Sequence, residues 1–266
     1  MLDFKPRTKP IGSNDHTITI GHESPVVIAI RDLHYAYPNG HPALVDTNLT
    51  IRQGERVAVM GPNGAGKSTL LMHLNGILRP RPGQTGCGGA IEVAGLSLTD
   101  ENLRRIRALV GVVFQNPDDQ LFSPTVYDDV AYGPLYMGMP RAEIEQRVRE
   151  ALAAVDTSGF EERMPHHLSI GQRKRISLAT VLVMDPQVLI LDEPSAGLDP
   201  RARRGLIALL RGLPQTLLAS THDMRLVRDL FDRAIIMQDG RIVVDAPAID
   251  VLSDEALLEE YGLEAP

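Results

Sequence analysis

Short apolar runs recur along the chain at residues 26–30, 57–60, 109–114, 188–191, 217–220 and 234–237. They are rich in Val, Ile and Leu and continuous rather than alternating. That pattern predicts strands covered on both faces, as in a mostly parallel α/β sheet. Between them the period changes. From Arg141 to Val155 the apolar positions Ile144, Val148, Ala151, Leu152 and Val155 recur at helical spacing, with charges on the other face. Pro140 stands at the start of that helix, where a missing N–H costs nothing. Residues 70–74, 176–183 and 254–261 also read as helical. The stretch from about 116 to 184 contains no central strand and reads as a helical subdomain inserted into the α/β core. Residues 1–25, with Pro6, Pro10, Gly12 and Gly21, read as a flexible polar tail, 26–247 as one domain, and 248–266 as a short helical C-terminal tail. There is no internal repeat.

Chemistry enters where the run at 57–60 ends. Gly61, Pro62, Asn63, Gly64, Ala65, Gly66, Lys67, Ser68 and Thr69 match G-x-x-x-x-G-K-[ST] at every fixed position. Strand, glycine turn and helix is the context in which this pattern cradles phosphate with backbone N–H groups. Lys67 is placed to meet the β- and γ-phosphates, and the Ser68 hydroxyl to ligate Mg²⁺. The run at 188–191 ends in Asp192 and Glu193. Carried to the C-terminal edge of a parallel sheet, where the glycine loop also opens, these carboxylates suit Mg²⁺ and an attacking water respectively.

Composition narrows the partners. Lys and Arg total 27 against 34 Asp and Glu, a formal net charge of -7, which argues against a nucleic-acid binder with a basic footprint. The single cysteine, Cys87, cannot form an internal disulfide and fits a reducing compartment. No apolar run approaches the ~18 residues of a membrane-spanning helix. The N-terminus has charges and prolines where a signal peptide needs an apolar stretch. A soluble chain is therefore expected, held at any membrane by something else. Histidines give no metal site: His166 and His167 are adjacent and cannot share a face, and His16, His22, His34 and His41 lack companions at ligand spacing.

Residues 168–172, Leu-Ser-Ile-Gly-Gln, precede the helical run at 176–183. With Tyr37, the glycine loop, Gln115, the strand ending in Asp192 and Glu193, the turn at 195–200 and His222, they form an ordered series. The chain from about Val26 to Asp245 thereby resembles the nucleotide-binding subunit of an ABC transporter. The resemblance implies an α/β P-loop NTPase core with a mostly parallel sheet, an antiparallel β edge and the inserted helical subdomain. It implies ATP and Mg²⁺ as cofactors, with Ser68, Gln115 and Asp192 around the metal. Tyr37 would stack on adenine, although Tyr35 lies close enough to be confused with it. Glu193 would activate water, Gln115 would complete the metal and water shell, and His222 would contact the γ-phosphate. Ser169, Gly171, Gln172 and Asp199 would serve the nucleotide across a dimer of ATPase subunits, two copies or two related chains. Ile170 stands where this family usually has Gly. A β-branched residue there implies ordinary backbone geometry, with the N–H still offered.

Residues 116–134 are similar to the ATPases of energy-coupling factor importers, most of all the cobalt- and nickel-transport branch. That implies a transmembrane coupling subunit and a substrate-binding membrane subunit, with the ATPase peripheral on the cytoplasmic face. Exposed Leu121 and Phe122 beside Asp118 and Asp119 would suit an amphipathic helix carrying arginine. Two alternatives stay open: an ABC ATPase of another importer or an exporter, and a soluble ABC protein acting on DNA or the ribosome.

Overall fold

A computed structural model describes residues 24–80 and 84–264. His16, His22 and nearly all of the predicted N-terminal tail lie outside them. The chain runs through β1 (Val26–Ala36), β2 (Pro42–Arg52), β3 (Arg56–Met60) and α1 (Lys67–His73), then β4 (Gly88–Val93), β5 (Leu96–Ser97), α2 (Leu103–Leu109) and β6 (Val110–Val113). Three helices follow without an intervening strand: α3 (Val126–Tyr136), α4 (Arg141–Ala154) and α5 (Ile170–Leu182). The remainder is β7 (Val188–Asp192), α6 (Pro200–Arg211), β8 (Thr216–Ser220), α7 (Met224–Leu230), β9 (Arg233–Gln238), β10 (Arg241–Pro247), α8 (Ala248–Ser253) and α9 (Glu255–Glu260).

The strands form two sheets, a four-stranded one ordered β2-β1-β4-β5 and a six-stranded one ordered β10-β9-β3-β8-β7-β6. The first is antiparallel. The second is parallel from β9 to β6, with β10 antiparallel at one edge. Side-chain alternation explains the continuous apolar runs. Ala58, Met60, Leu189, Leu191, Leu217, Ala219, Ala234 and Ile236 join one core cluster with the helical segment. Their neighbours Val57, Val59, Val188, Ile190, Leu218, Ile235 and Met237 join another, shared with the antiparallel sheet and α1. Both faces of the central strands β3, β7, β8 and β9 are dry, so these strands read as nearly continuous apolar runs.

The predicted central runs all become strands of this sheet, and the run at 26–30 opens β1. β2 alternates buried and exposed residues, β4 begins on two glycines, and β10 is half-exposed along its length, so none carries a continuous apolar signal. The stretch expected to be helical opens with a 3-10 turn at Pro117–Asp119, followed by α3. Thr125 caps α3 by accepting from the Asp128 N–H, and Asp128 and Asp129 occupy its first turn. In the C-terminal segment, Val251, Leu252, Leu258 and Leu263 are buried in the same cluster as the helical segment.

Candidate nucleotide site

The glycine loop leaves β3 through Gly61 at φ 134° and enters α1 through Gly66 at φ 101°, in the left-handed region. Space excludes any other residue at both positions. A Cβ on Gly61 would lie 2.2 Å from the Met237 carbonyl oxygen, and one on Gly66 would lie 2.5 Å from that of Ala43. The loop is thus pinned between β9 and β2, and the Gly240 N–H donates to the Ala65 carbonyl. Lys67 is buried, and its Nζ donates to the carbonyls of Gly61 (2.7 Å) and Pro62 (2.9 Å). Asn63, Gly64 and Ser68 stay exposed. Burial lowers the Lys67 pKa, while Glu193 and Asp192 pull it back up.

Parallel registration brings the other half of the site to the same edge. Ser220 pairs with both Val59 and Asp192, so it stands between the glycine loop and the carboxylates. Asp192 Oδ1 accepts from Ser68 Oγ at 3.1 Å and from the Ser220 hydroxyl. A hydroxyl and a carboxylate converging in this way are hard oxygen donors of the kind Mg²⁺ takes together with substrate phosphates. Among the described residues no larger His, Cys, Asp and Glu cluster offers a dedicated metal site.

Glu193 has φ 44°, a conformation disfavoured for a residue with a Cβ by about 1–2 kcal/mol. Its N–H donates to the backbone oxygen and the hydroxyl of Ser220, both at 3.1 Å. Its Oε1 lies 2.9 Å from Nδ1 of His222, whose side chain is 71% exposed. Its Oε2 is buried and has no hydrogen-bond partner, an acceptor that the fold itself does not use.

Tyr35 and Tyr37 are now distinguishable. Tyr35 is buried with its ring 4.5 Å from that of His73. Tyr37 is half-buried, and its hydroxyl shares a 2.8 Å hydrogen bond with Thr69 Oγ1 just after the loop. It is Tyr37 that borders the loop.

The side chains of the remaining predicted residues share no hydrogen bond with this cluster among the described residues. Ser169 caps α5 in a reciprocal arrangement: Gln172 N donates to Ser169 Oγ (3.3 Å) and Ser169 N to Gln172 Oε1 (3.0 Å). Among the described residues, no hydrogen bond joins them to the chain's own glycine loop. Ile170 opens the helix without positive φ. Gly171 faces α6, where an added Cβ would lie 3.2 Å from that of Ala202. Asp199 is exposed and caps α6, accepting from the N–H groups of Arg201 and Ala202 at 2.8 Å. Gln115 is exposed, and its amide makes none of the bonds that join Ser68, Asp192, Glu193 and Ser220.

Sequence reasoning missed two members. Ser220 could be found only through strand register. Lys174 is buried on α5 and donates to the backbone carbonyls of Gln115 and Glu193. Its one sequence signal was a place in line with the apolar Leu178 and Val181.

The expected docking surface needs a correction. Leu121 is 8% exposed and belongs to the core, because the turn at Pro117 directs it inward, whereas Phe122 is 67% exposed. Tyr132, in contact with Phe122, and Leu135 and Tyr136 of α3 extend the exposed apolar face. Asp118 is engaged by Arg173 of α5.

Residues 44–196 match the ABC transporter family. The energy-coupling factor transporter ATP-binding protein EcfA of Methanothermobacter thermautotrophicus is 44% identical over 243 residues, spanning 90% of this chain and 77% of that protein. The structure of cbiO1 from Clostridium perfringens, part of the ABC transporter complex cbiONQ, superposes with a TM-score of 0.76 at 36% identity, covering 88% of this chain and 94% of that one. The ATP-binding cassette MJ0796, solved as a dimer in a post-hydrolysis state bound to ADP and Pi, gives a TM-score of 0.72 at 27% identity over 83% of this chain and 98% of that one.

Proposed function

This chain belongs to the ABC transporter family, and from that premise we propose that it is the ATPase subunit of an energy-coupling factor importer that takes up cobalt or nickel. It is an ATPase whose hydrolysis is coupled to transport. The observation that carries the reading is the convergence of Lys67, Ser68, Asp192, Glu193 and His222 on one edge of the parallel sheet. The loop N–H groups and Lys67 would bind the phosphates and Tyr37 the adenine ring. Glu193, through its unpartnered Oε2, would take a proton from the attacking water while His222 orients the carboxylate. Ser68 and Asp192, with Gln115 from the neighbouring loop, would hold Mg²⁺, which when bound neutralises charge on the phosphate oxygens.

Ser169, Gly171, Gln172 and Asp199 would meet the nucleotide of a second subunit. The Ser169 cap makes no hydrogen bond to the chain's own loop among the described residues, which supports this, as does the dimer in which MJ0796 was solved. ATP then binds two subunits together, and hydrolysis releases them. No described helix is long and apolar enough to cross a membrane. The exposed face of Phe122, Tyr132, Leu135 and Tyr136 would seat a helix of a transmembrane coupling subunit on the cytoplasmic side. A substrate-binding membrane subunit would complete the complex. The energy-coupling reading draws on EcfA, and cobalt or nickel on residues 116–134 and the likeness to cbiO1.

The test is to purify the chain from detergent-solubilised membranes with its associated proteins and reconstitute the complex in vesicles. ATP-driven accumulation of cobalt or nickel is expected. Accumulation of neither metal overturns the cargo, and absence of any associated membrane protein overturns the transporter subunit.

A further inference from the structure

β6 and β7 are parallel neighbours with Val113 opposite Leu191. Gln115 and Glu193 therefore leave the sheet side by side, each two residues past that pair. Lys174 bridges them. It is 6% exposed, and its Nζ donates to the Gln115 carbonyl at 3.1 Å and the Glu193 carbonyl at 3.2 Å. The Glu193 carbonyl also accepts from the Ala196 N–H, while Ser220 holds the Glu193 N–H from the other side. A residue at φ 44° keeps that conformation only when its surroundings over-determine it. Lys174 supplies one side of that restraint. It does so from α5, the helix whose first residues are capped by Ser169.

We propose that Lys174 is a positioning residue for hydrolysis: one buried ammonium holds the Glu193 peptide, and through it the carboxylate, in place and ties it to the segment carrying Gln115. The proposal rests on the reading of Glu193 as the group that activates water. A merely structural lysine would cap the same two carbonyls for stability alone, and the two roles separate experimentally. A side chain lacking donors frees the Glu193 peptide, and misplacement of a reacting group by a fraction of an ångström lowers the rate without altering phosphate binding.

The experiment compares K174M, K174Q and E193Q with the wild type, using the full-length chain. It measures kcat, KM, monomer affinity for ATP and Tm. Met removes the donors at similar volume, whereas Gln keeps an amide that can donate. The expected result for K174M is kcat lower by about tenfold, with KM and ATP affinity within about twofold, and K174Q recovering several-fold of the loss. An unchanged kcat in K174M overturns the proposal, as does an equal loss in both variants that tracks Tm. If K174M does not fold, K174A, which likewise lacks donors, decides: reduced kcat at constant KM supports the role, and wild-type kcat or a joint change of kcat and KM removes it. E193Q separates the two levels. Lost turnover in E193Q with normal K174M sinks the Lys174 role alone, while retained turnover in E193Q removes the water-activating role of Glu193 and this proposal with it.

Discussion

Nδ1 of His222 lies 2.9 Å from Oε1 of Glu193, joining the residue just past β7 to the turn after β8. The contact leaves Glu193 Oε2 without a hydrogen-bond partner, and on the proposed function that oxygen would take the proton of the attacking water. E193Q is expected to bind ATP and lose turnover by roughly 100-fold or more, leaving a long-lived ATP-bound dimer visible by size-exclusion chromatography. His222→Ala, at an exposed side chain, is expected to reduce kcat while leaving Tm unchanged. Phosphate release at wild-type rates from either variant would falsify the assignment.

Ser169 is the α5 cap and the proposed contact with a second subunit's nucleotide. Ser169→Ala should lower stability by about 1 kcal/mol through loss of the cap. In the E193Q background it should also weaken ATP-dependent dimerisation, with monomer affinity for ATP intact. Urea unfolding reads the stability, light scattering across a protein dilution series the dimerisation, and calorimetric titration the monomer affinity. Loss of monomer affinity would mean that residues 168–172 have been assigned to the wrong site.

Tyr37 holds Thr69 through its hydroxyl and would offer its ring to the base. Tyr37→Phe keeps the ring and should bind ATP nearly as the wild type does. Tyr37→Ala should weaken binding by roughly three- to tenfold, the size of a lost aromatic stacking contact. Equal binding by all three proteins would assign the ring to the fold instead.

His73 supplies a pH dependence unrelated to catalysis. Burial lowers its pKa, opposed by the hydrogen bond to the Thr69 carbonyl. Its Nδ1 donates to that oxygen, and its Nε2 is buried without a partner. The folded protein therefore disfavours imidazolium. The unfolded chain binds the proton more readily, so stability falls as pH drops through and below the ordinary imidazole value of about 6.5. His73→Gln should flatten that part of the curve in urea unfolding at pH values from about 8 to 5. A slope as steep as that of the wild type would assign the proton to another group.

Much of this protein is decided locally. The strands of the parallel sheet are readable because burial on both faces makes them nearly continuous apolar runs, and the glycine loop because its fixed spacing belongs to the turn itself. The α4 helix is readable from its period, and the run at 176–183 as helical, although α5 begins already at Ile170 behind the Ser169 cap. What tertiary structure alone decided is long-range and depends on register. Ser220 reaches Asp192 because β8 lies between β3 and β7, and Lys174 reaches Glu193 because α5 packs against β6, the neighbour of β7. Leu121 turned inward while Phe122 stayed out, a difference that neighbouring apolar letters cannot encode. Apolar periodicity specifies which face of an element is dry. The partner of a polar atom depends on which strands become neighbours, and only the folded chain fixes that order.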